Sequence, residues 1–552
     1  GDTVNLASRL EHAAPVGRVL IAHDTYRHVR GIFDVQPQKP LTVRGKAAPV
    51  ETYVVLRAKP RAFRLATRGV EGVETRMIGR DDELDRLRAA YAATLASSAA
   101  RALMIVGEAG VGKSRLLYEF DNWLELQPES IFYFKGRATP NTQSVAYSLF
   151  RDLFAFRFGI LDSDPTAVAL QKFRHGMAGV LEPERADVVG HWLGFDFDAS
   201  EAVRPLLGSA DFSAIARAHL TRYFRTLAAV EPVVVLLEDV HWADDQSLDL
   251  IVYLTATIAD AKLLQIAVSR PSLFERRPDW GDTLFHRVSL TPLSREASGA
   301  LVDEILQRAD EVPGALRDLI IDAAEGNPFY VEELVKMLLD QGVIDRGETG
   351  RLESRGEEIA PAPLSPGSPA LEEVWQVRAE RLQGLRVPPT LVGLLQARLD
   401  GLPPAERETL QRAAVIGRLF WDNCVAELMQ AARPAVRDTL DSARRREIIF
   451  RHERSSFAGA EEYIFKHALL RDVAYEMVLL RRRAELHGQV ARWLEEHAGD
   501  RRDEYLSLIA EHYIHAGQRL RAAALLEQSG FEAVSVGAWA AARRSLERAL
   551  AL

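Results

Sequence analysis

The spacing of apolar positions changes several times along the chain, and each change predicts a change of architecture. In residues 1–13, Val4, Leu6, Ala7 and Leu10 fall at mixed three- and four-residue spacing, which suits a helix. Alternating segments at 19–22, 32–43 and 50–56 read as strands. One helix and a few strands do not complete a domain with two packed faces. Residues 59–76 carry Pro60 and several arginines with little periodicity and read as a linker. From 77 to 341 the pattern is α/β. A helix is expected at 86–100, then strands at 101–107, 130–138, 233–240, 263–271 and 286–293, with a mostly helical stretch at 145–229 and helices at 294–308, 314–325 and 328–341. The segment VVVLLEDV (233–240) is a continuous apolar run of the kind buried on both faces of a parallel sheet.

Residues 345–370 are rich in Gly, Pro, Ser and Glu and read as a solvated excursion. Beyond 388 the chain is mainly helical. Helices are expected at 388–402, 405–416, 422–429, 433–446, 468–480, 482–498, 503–515, 519–529 and 531–550, with a short strand inside 462–470. The last segments are Ala-rich helix pairs of irregular period, similar to tetratricopeptide hairpins.

Composition narrows the class. At roughly 100–200 residues per domain, 552 residues suggest three to five domains, and 47% hydrophobic with 27% charged residues is ordinary globular usage. The net charge of −9 provides no bulk field for nucleic acid or lipid, so neither is an expected partner. The most basic patch, 481–487, reads as a solvated helix start. One cysteine, Cys424, excludes an internal disulfide framework and a Cys-cluster metal site, and fits a reducing, cytoplasmic setting. No apolar run approaches the roughly 20 residues needed to span a bilayer.

The strongest local signal is GEAGVGKS (107–114), a G-x-x-x-x-G-K-[ST] loop between an apolar strand and a helix. Gly107, Gly110 and Gly112 let backbone N–H groups turn toward phosphates. Lys113 is expected to reach the outer phosphates and Ser114 to ligate Mg²⁺, with Arg115 beside them in the nucleotide-binding set. Glu238 and Asp239 follow the apolar strand, where such a fold needs one carboxylate for the metal and another to orient water. Two assignments stand open. Glu238 acts through the metal's water shell while Asp239 activates water, or Asp239 is the metal ligand itself. His241 lies just beyond, where ligands bind in open α/β sheets, although a histidine taken alone there is more often structural than catalytic. Arg270 closes the next strand, where a guanidinium senses a terminal phosphate or a nearby carboxylate. In GNPFYVEEL (326–334), Pro328 opens a helix with Asn327 as its cap.

Residues 77–552 resemble the signal-transduction ATPases with numerous domains. The resemblance is carried by IGRDDEL (78–84), GEAGVGKS, LLEDVHWAD, the SRP containing Arg270, and GNPFYVEEL. It implies that Pro328 contacts the nucleotide, that His241 belongs to the switch coupling it to domain packing, and that a winged-helix module and helical repeats follow. Glu238 stands where this family usually has Asp.

Residues 1–58 resemble the C-terminal end of a class III adenylate/guanylate cyclase catalytic domain, through GDTVNLASRLE and the closing segment LTVRGKAAPVETYVV (41–55). The resemblance makes Asn5 and Arg9 a transition-state pair. A purine nucleotide's 3′-hydroxyl attacks its own α-phosphorus and diphosphate leaves; Asn5 orients the ribose and Arg9 meets charge on the phosphoryl oxygens. Lys46 is the triphosphate contact, with Arg44 a competitor. The family's two metal-holding aspartates lie upstream of this helix, so the chain is expected to open inside the domain. Its site is expected to be completed by the cyclase domain of a second subunit.

The expected organisation is thus multidomain α/β and α. It comprises a partial ferredoxin-like α+β cyclase unit (1–58), a linker (59–76), a P-loop NTPase α/β sandwich with a helical lid (77–341), a flexible excursion (342–387), a winged-helix-like module (388–480) and tetratricopeptide-like repeats (481–552). The expected function is regulation, through ATP and Mg²⁺, of cyclic AMP synthesis in a longer protein, with slow ATP hydrolysis, no cyclase activity in the present chain, and an unknown protein or small molecule on the repeats. The alternative is an ATP-gated transcriptional regulator or protein-interaction scaffold without cyclase activity.

Overall fold

The computed structural model describes the chain except residues 1, 16, 24, 27–32, 42–49, 59–74, 128, 140–141, 144, 162–163, 210, 347–374, 379, 382–386, 452–454, 456, 458, 499–501, 503–504 and 536–537. Lys46, Arg44 and nearly all of the expected linker therefore lie outside the described residues, as do most of the expected excursion and the side chain of Asn5.

The N-terminal unit packs the helix Asp2–Ala13 beside an antiparallel sheet of β1 (Val19–Ala22), β2 (Phe33–Leu41) and β3 (Val50–Ala58), in the order β1-β3-β2. Pro37 and Pro40 sit in β2, an edge strand, the place in a sheet where proline is tolerated. Leu10, Ala22 and Val54 form a small core. Tyr26 stacks on Tyr53 at 4.2 Å, and the Tyr53 hydroxyl lies 2.9 Å from His23 Nδ1.

The second unit is built on a five-stranded parallel sheet. Its strands are β4 (Arg101–Val106), β5 (Phe132–Arg137), β6 (Val233–Glu238), β7 (Leu263–Ser269) and β8 (Phe285–Ser289), in the order β5-β6-β7-β4-β8. The continuous apolar strands split by their two-residue period into two cores. Met104, Val233, Val235, Leu237 and Ala267 face one layer of helices; Leu103, Ile105, Val234, Leu236 and Ile266 face the other. Each such side chain, fully buried, contributes about 1.5–3 kcal/mol, so β6 and β7 form a rigid floor for whatever sits at their C-terminal ends.

A third core joins helices Arg295–Ile305, Gly314–Ala324 and Pro328–Asp340. It also takes in Trp375, from a small antiparallel pair of β9 (Ile344–Arg346) and β10 (Trp375–Val377). The two ends of the expected excursion are therefore strands.

Beyond residue 390, five helices (Leu391–Asp400, Pro404–Ile416, Asp422–Met429, Arg433–Arg445 and Ala468–Glu476) surround an antiparallel sheet of β11 (Leu419–Trp421), β12 (Ile449–Arg451) and β13 (Glu462–Phe465), in the order β11-β13-β12. One core runs from here into the following helices Leu480–His497, Leu506–His515 and Arg519–Ser535, with Trp421 stacked on Trp493 at 5.4 Å.

Two helix boundaries differ from the sequence expectation. The stretch 468–480 breaks after Glu476 because Arg483 caps it: its Nε donates to the Val478 carbonyl and its Nη2 to the Glu476 carbonyl, both at 2.7 Å. Conversely, Gly530 does not end a helix. It lets helix Arg519–Ser535 lie against helix Trp539–Ala551, where a Cβ would meet Leu546 Cγ at 2.7 Å. That final helix turns back to the parallel-sheet unit. Ala538 and Ala541 are buried in its core, and Arg544 bonds Gln246 at 3.1 Å and pairs with Asp245. No helix among the described residues is long and apolar enough to cross a membrane.

Candidate nucleotide-binding site

The loop after β4 is held in shape by its glycines and by two distant segments. A Cβ on Gly107 would stand 2.8 Å from Val111 Cγ2. Gly110, at φ +85°, would place one 2.6 Å from Asn327 Oδ1. Helix Lys113–Glu125 starts directly at the loop's end, so its free N–H groups face the loop. Asn327 has two tasks. Its Oδ1 accepts from the N–H groups of Phe329 (3.1 Å) and Tyr330 (3.4 Å), capping helix Pro328–Asp340, while its Nδ2 donates to the Ala109 carbonyl at 3.2 Å. Pro328, at the first helical position, brings this helix start against the loop, where Phe329 N–H lies 3.4 Å from the Gly110 carbonyl. From the other side, buried Arg80 donates to the carbonyls of Val111 (3.1 Å) and Thr291 (2.5 Å).

Lys113 Nζ donates to the carbonyls of Gly107 and Glu108, both at 2.7 Å. Burial, helped by the neighbouring Arg270, pushes its pKa down to about 8 against the pull of Asp239 and Glu108. Ser114 is exposed at the second position of the helix. Arg115 is engaged elsewhere: Nε donates to Glu119 at 2.9 Å and Nη2 to the Thr75 carbonyl, tying the helix to the segment that opens this unit.

The two carboxylates at the end of β6 diverge. Glu238 is buried between Lys135 (2.9 Å) and Arg137, both from β5. Burial would raise its carboxyl, but Arg137 and Lys135 outweigh that and hold it well below the usual carboxylate range. Asp239 leaves the strand at φ +55° and ψ +37°, a left-handed backbone that non-glycine residues rarely adopt. Its carboxylate lies 3.7 Å from Arg137 Nε and 3.5 Å from Arg418 Nη1. His241 is buried, and neither ring nitrogen has a partner among the described residues. Burial, with Arg270, Lys113 and Arg276, pushes its pKa down to about 4 against Asp239, so it is neutral at pH 7. Arg270 is half-buried after β7, close enough for Lys113 and His241 to feel its charge.

Sequence reading missed Lys135, Arg137, Arg418 and His467. The first two sit in KGR at the end of β5, which pairs with β6 in register Arg137↔Glu238. Arg418 and His467 come from the C-terminal module, docked by a buried ion network. Lys336 bridges Glu333 (3.1 Å) and Glu447 (3.1 Å), Lys466 reaches Glu447 at 2.8 Å, and Arg398 pairs with Glu333. Phe465 N–H donates to the Arg418 carbonyl at 2.9 Å, fixing that residue just before the start of β11. The His467 ring lies 3.8 Å from the Phe329 ring, next to Pro328. Arg9 is exposed on helix Asp2–Ala13, four positions after Asn5 in the chain.

A parallel sheet carrying this loop, helix start and acidic strand end has the layout of a P-loop nucleotide-binding fold. Comparison with known proteins agrees: residues 76–266 match the AAA ATPase domain family, and residues 1–57 match the adenylate and guanylate cyclase catalytic domain family. Two segments of the chain are thus similar to two nucleotide-using domain families. An uncharacterised protein of Rhizobium meliloti (strain 1021) is 27% identical over 564 residues, covering 100% of this chain and 50% of its own length. The chain thus spans about half the length of the curated relative it matches. Among solved structures, a signal transduction ATPase with numerous domains and a tetratricopeptide repeat sensor from Pyrococcus horikoshii is similar. It has TM-score 0.40 and 13% identity, over 87% of this chain and 59% of that one. The Aeropyrum pernix ORC1 protein in complex with DNA follows at TM-score 0.34 and 12% identity, over 75% of this chain and 97% of that one.

Proposed function

We propose that this chain is the ATP-binding regulatory part of a cytoplasmic signalling protein. Its full-length form converts ATP to cyclic AMP and diphosphate, and the P-loop domain and helical repeats control that output. The observation that carries the reading is the convergence of Lys113, Arg137, Arg270 and Arg418 around the carboxylate of Asp239, which Arg137 and Arg418 share at 3.7 and 3.5 Å, beside the glycine cradle. Such an excess of cations beside a helix N-terminus suits a polyphosphate.

Ser114 and Asp239 are the residues that would hold Mg²⁺. A hydroxyl and a carboxylate are hard oxygen donors, and Asp239 faces the centre while Glu238 is tied to Lys135 and Arg137. Bound there, the ion supplies charge neutralisation at the phosphates. The chain's own residues do the rest. Lys113 binds the outer phosphates, the 107–112 backbone wraps them, and Pro328 and Phe329 border the cradle on the side left for the base. Hydrolysis is slow in this arrangement because Asp239 is shared with two arginines. Residues 391–476 serve as a winged-helix module and the helices after 480 as repeats that receive a protein or small-molecule effector. At the N-terminus, Asn5, Arg9 and Lys46 contribute to a cyclase site shared with a second subunit.

Fluorescent-ATP titration in Mg²⁺ tests the reading. The chain binds, Lys113→Ala binds at least tenfold more weakly, and the 552 residues alone form no cyclic AMP. Equal affinity of the two proteins removes the nucleotide reading; cyclic AMP formed by this chain removes the shared-site reading.

A further inference from the structure

We propose that the groove between helix Leu480–His497 and the turn at 516–518 is a binding site for an acidic peptide segment that also carries apolar side chains. This names the class of protein effector for the helices after residue 480, and it rests on the reading that those helices receive one.

The groove has a volume of about 520 Å³, within the range of pre-formed ligand sites. Its shape depends on Gly488. A Cβ there would stand 3.3 Å from Gln518 Nε2 and 3.5 Å from Ala516 Cβ, so the glycine lets the turn close against the helix. The turn itself is fastened by Gln518 N–H, which donates to the Tyr513 carbonyl at 2.9 Å. The 2.8 Å contact of His487 with His512 joins helix Leu480–His497 to helix Leu506–His515, so the walls are fixed before any ligand arrives.

Three features define what fits. First, Arg481 and Arg492 both line the groove, and neither makes an ion pair or a hydrogen bond among the described residues. They stand three helical turns apart and so share one face, at a separation of roughly 16 Å along the axis. The carboxylate between them, Glu485, is taken by Arg482 at 2.6 Å. In a chain of net charge −9, two unpaired arginines on one groove are a local excess of positive charge. Second, Gln489 lines the groove, and its Oε1, shut off from solvent, has no hydrogen-bond partner among the described residues. That atom is an acceptor, so the group it lacks is a donor. A simple polycarboxylate has none, whereas a peptide brings backbone N–H groups. Third, Leu480 directly precedes Arg481 and Leu520 follows closely on Gln518; they are 78% and 90% exposed, which adds apolar ground for a partner's aliphatic side chains. A nucleic-acid backbone would satisfy the arginines but offers the leucines no such partner. An extended peptide of about five residues spans the distance between the arginines.

The test places the full chain on an array of immobilised peptides of about six residues. In these, leucine is fixed and two aspartates take every spacing; the same peptides with asparagine for aspartate, and an oligothymidylate, serve as comparisons. The double variant Arg481→Gln, Arg492→Gln is run beside Gln489→Leu and Ala484→Trp, with thermal melts as a fold control. Aspartate peptides retain the unaltered chain at least tenfold more strongly than asparagine peptides. The double variant loses at least tenfold of that retention at an unchanged melting temperature, because its side chains are exposed and unpaired. Gln489→Leu loses about fivefold through the missing acceptor, and Ala484→Trp, which fills the groove, loses the rest. Aspartate peptides that hold the double variant as well as the unaltered chain overturn the proposal. Asparagine peptides that hold the chain equally well, and release it in Ala484→Trp, overturn the acidic class while the effector reading stands. Retention on oligothymidylate alone makes the groove a nucleic-acid surface and overturns the proposal as well. A chain held by no peptide removes both this inference and the protein-effector reading.

Discussion

Glu238 and Asp239 are neighbours in sequence, yet the backbone sends them to different partners. Glu238 completes β6 and meets Lys135 and Arg137 on the paired strand, whereas Asp239 turns away in a left-handed conformation. Their substitutions should separate accordingly. Glu238→Gln leaves two buried cations without a counter-charge, a loss on the order of 3 kcal/mol, so the melting temperature falls while nucleotide still binds. Asp239→Asn leaves the fold's stability within about 1 kcal/mol because its ion pairs are longer and partly exposed, but abolishes any slow phosphate release. Parallel melting curves and phosphate-release assays check both. Full turnover in Asp239→Asn together with none in Glu238→Gln would reverse the roles. The order of the two acids could be read in the sequence. Which of them is occupied could not, because the deciding cations sit about a hundred positions upstream on another strand.

At the scale of elements, the helices after residue 480 carry an acid-sensitive joint. His487 Nδ1 lies 2.8 Å from His512 Nδ1, its Nε2 lies 2.9 Å from the Tyr475 hydroxyl, and its ring stacks on His515 at 4.8 Å. Burial, with His515, Arg471 and Arg483 nearby, pushes the His487 pKa down to about 3; burial and its histidine neighbours push His512 well below the ordinary value. The close nitrogen pair needs one donor and one acceptor, so it cannot survive protonation of both rings. Both pKa values are lower in the folded state than in the unfolded one. Stability is therefore intact above pH 6.5 and lost as pH falls below it, at up to about 1.4 kcal/mol per unit for each ring. Trp493 fluorescence should report loosening of these helices between pH 6.5 and 4, and His512→Phe should flatten the profile. An unchanged profile in that variant would place the sensitivity elsewhere. The helices themselves were legible from their apolar spacing, as were the strands of the parallel sheet. The break at 477–479 and the continuation through Gly530 were not, since Arg483 caps one and close approach of Leu546 requires the other.

For the whole molecule, the order of units along the chain hides how it closes. The polypeptide runs from the parallel-sheet unit into the C-terminal module and the helices after residue 480, then returns, so that Ala538 and Ala541 are buried in the parallel-sheet unit's core. The return contact falls on helix Asp245–Thr257, which begins directly after the acidic turn of Asp239. Asp244, buried at its cap, accepts from Ser247 N–H (2.8 Å), Tyr147 N–H (3.0 Å) and Ser148 Oγ (3.1 Å), tying this helix start firmly to the segment that follows Asp239. Asp245 is shared by Arg277, at 3.5 Å, and Arg544. Replacing Arg544 with Glu sets a carboxylate against Asp245 and removes the bond to Gln246. The small alanine face alone buries too little apolar area to hold the helix against that repulsion. Hydrogen exchange should therefore rise at least tenfold across helix Trp539–Ala551 in Arg544→Glu, less in Arg544→Ala, while β6 and β7 stay protected. Because the released helix sits on the element after Asp239, ADP should also dissociate faster from Arg544→Glu than from the unaltered chain. Unchanged exchange would mean that the alanines hold the ring closed by themselves. Raised exchange with unchanged ADP release would mean that the closure is structural and does not communicate with the nucleotide.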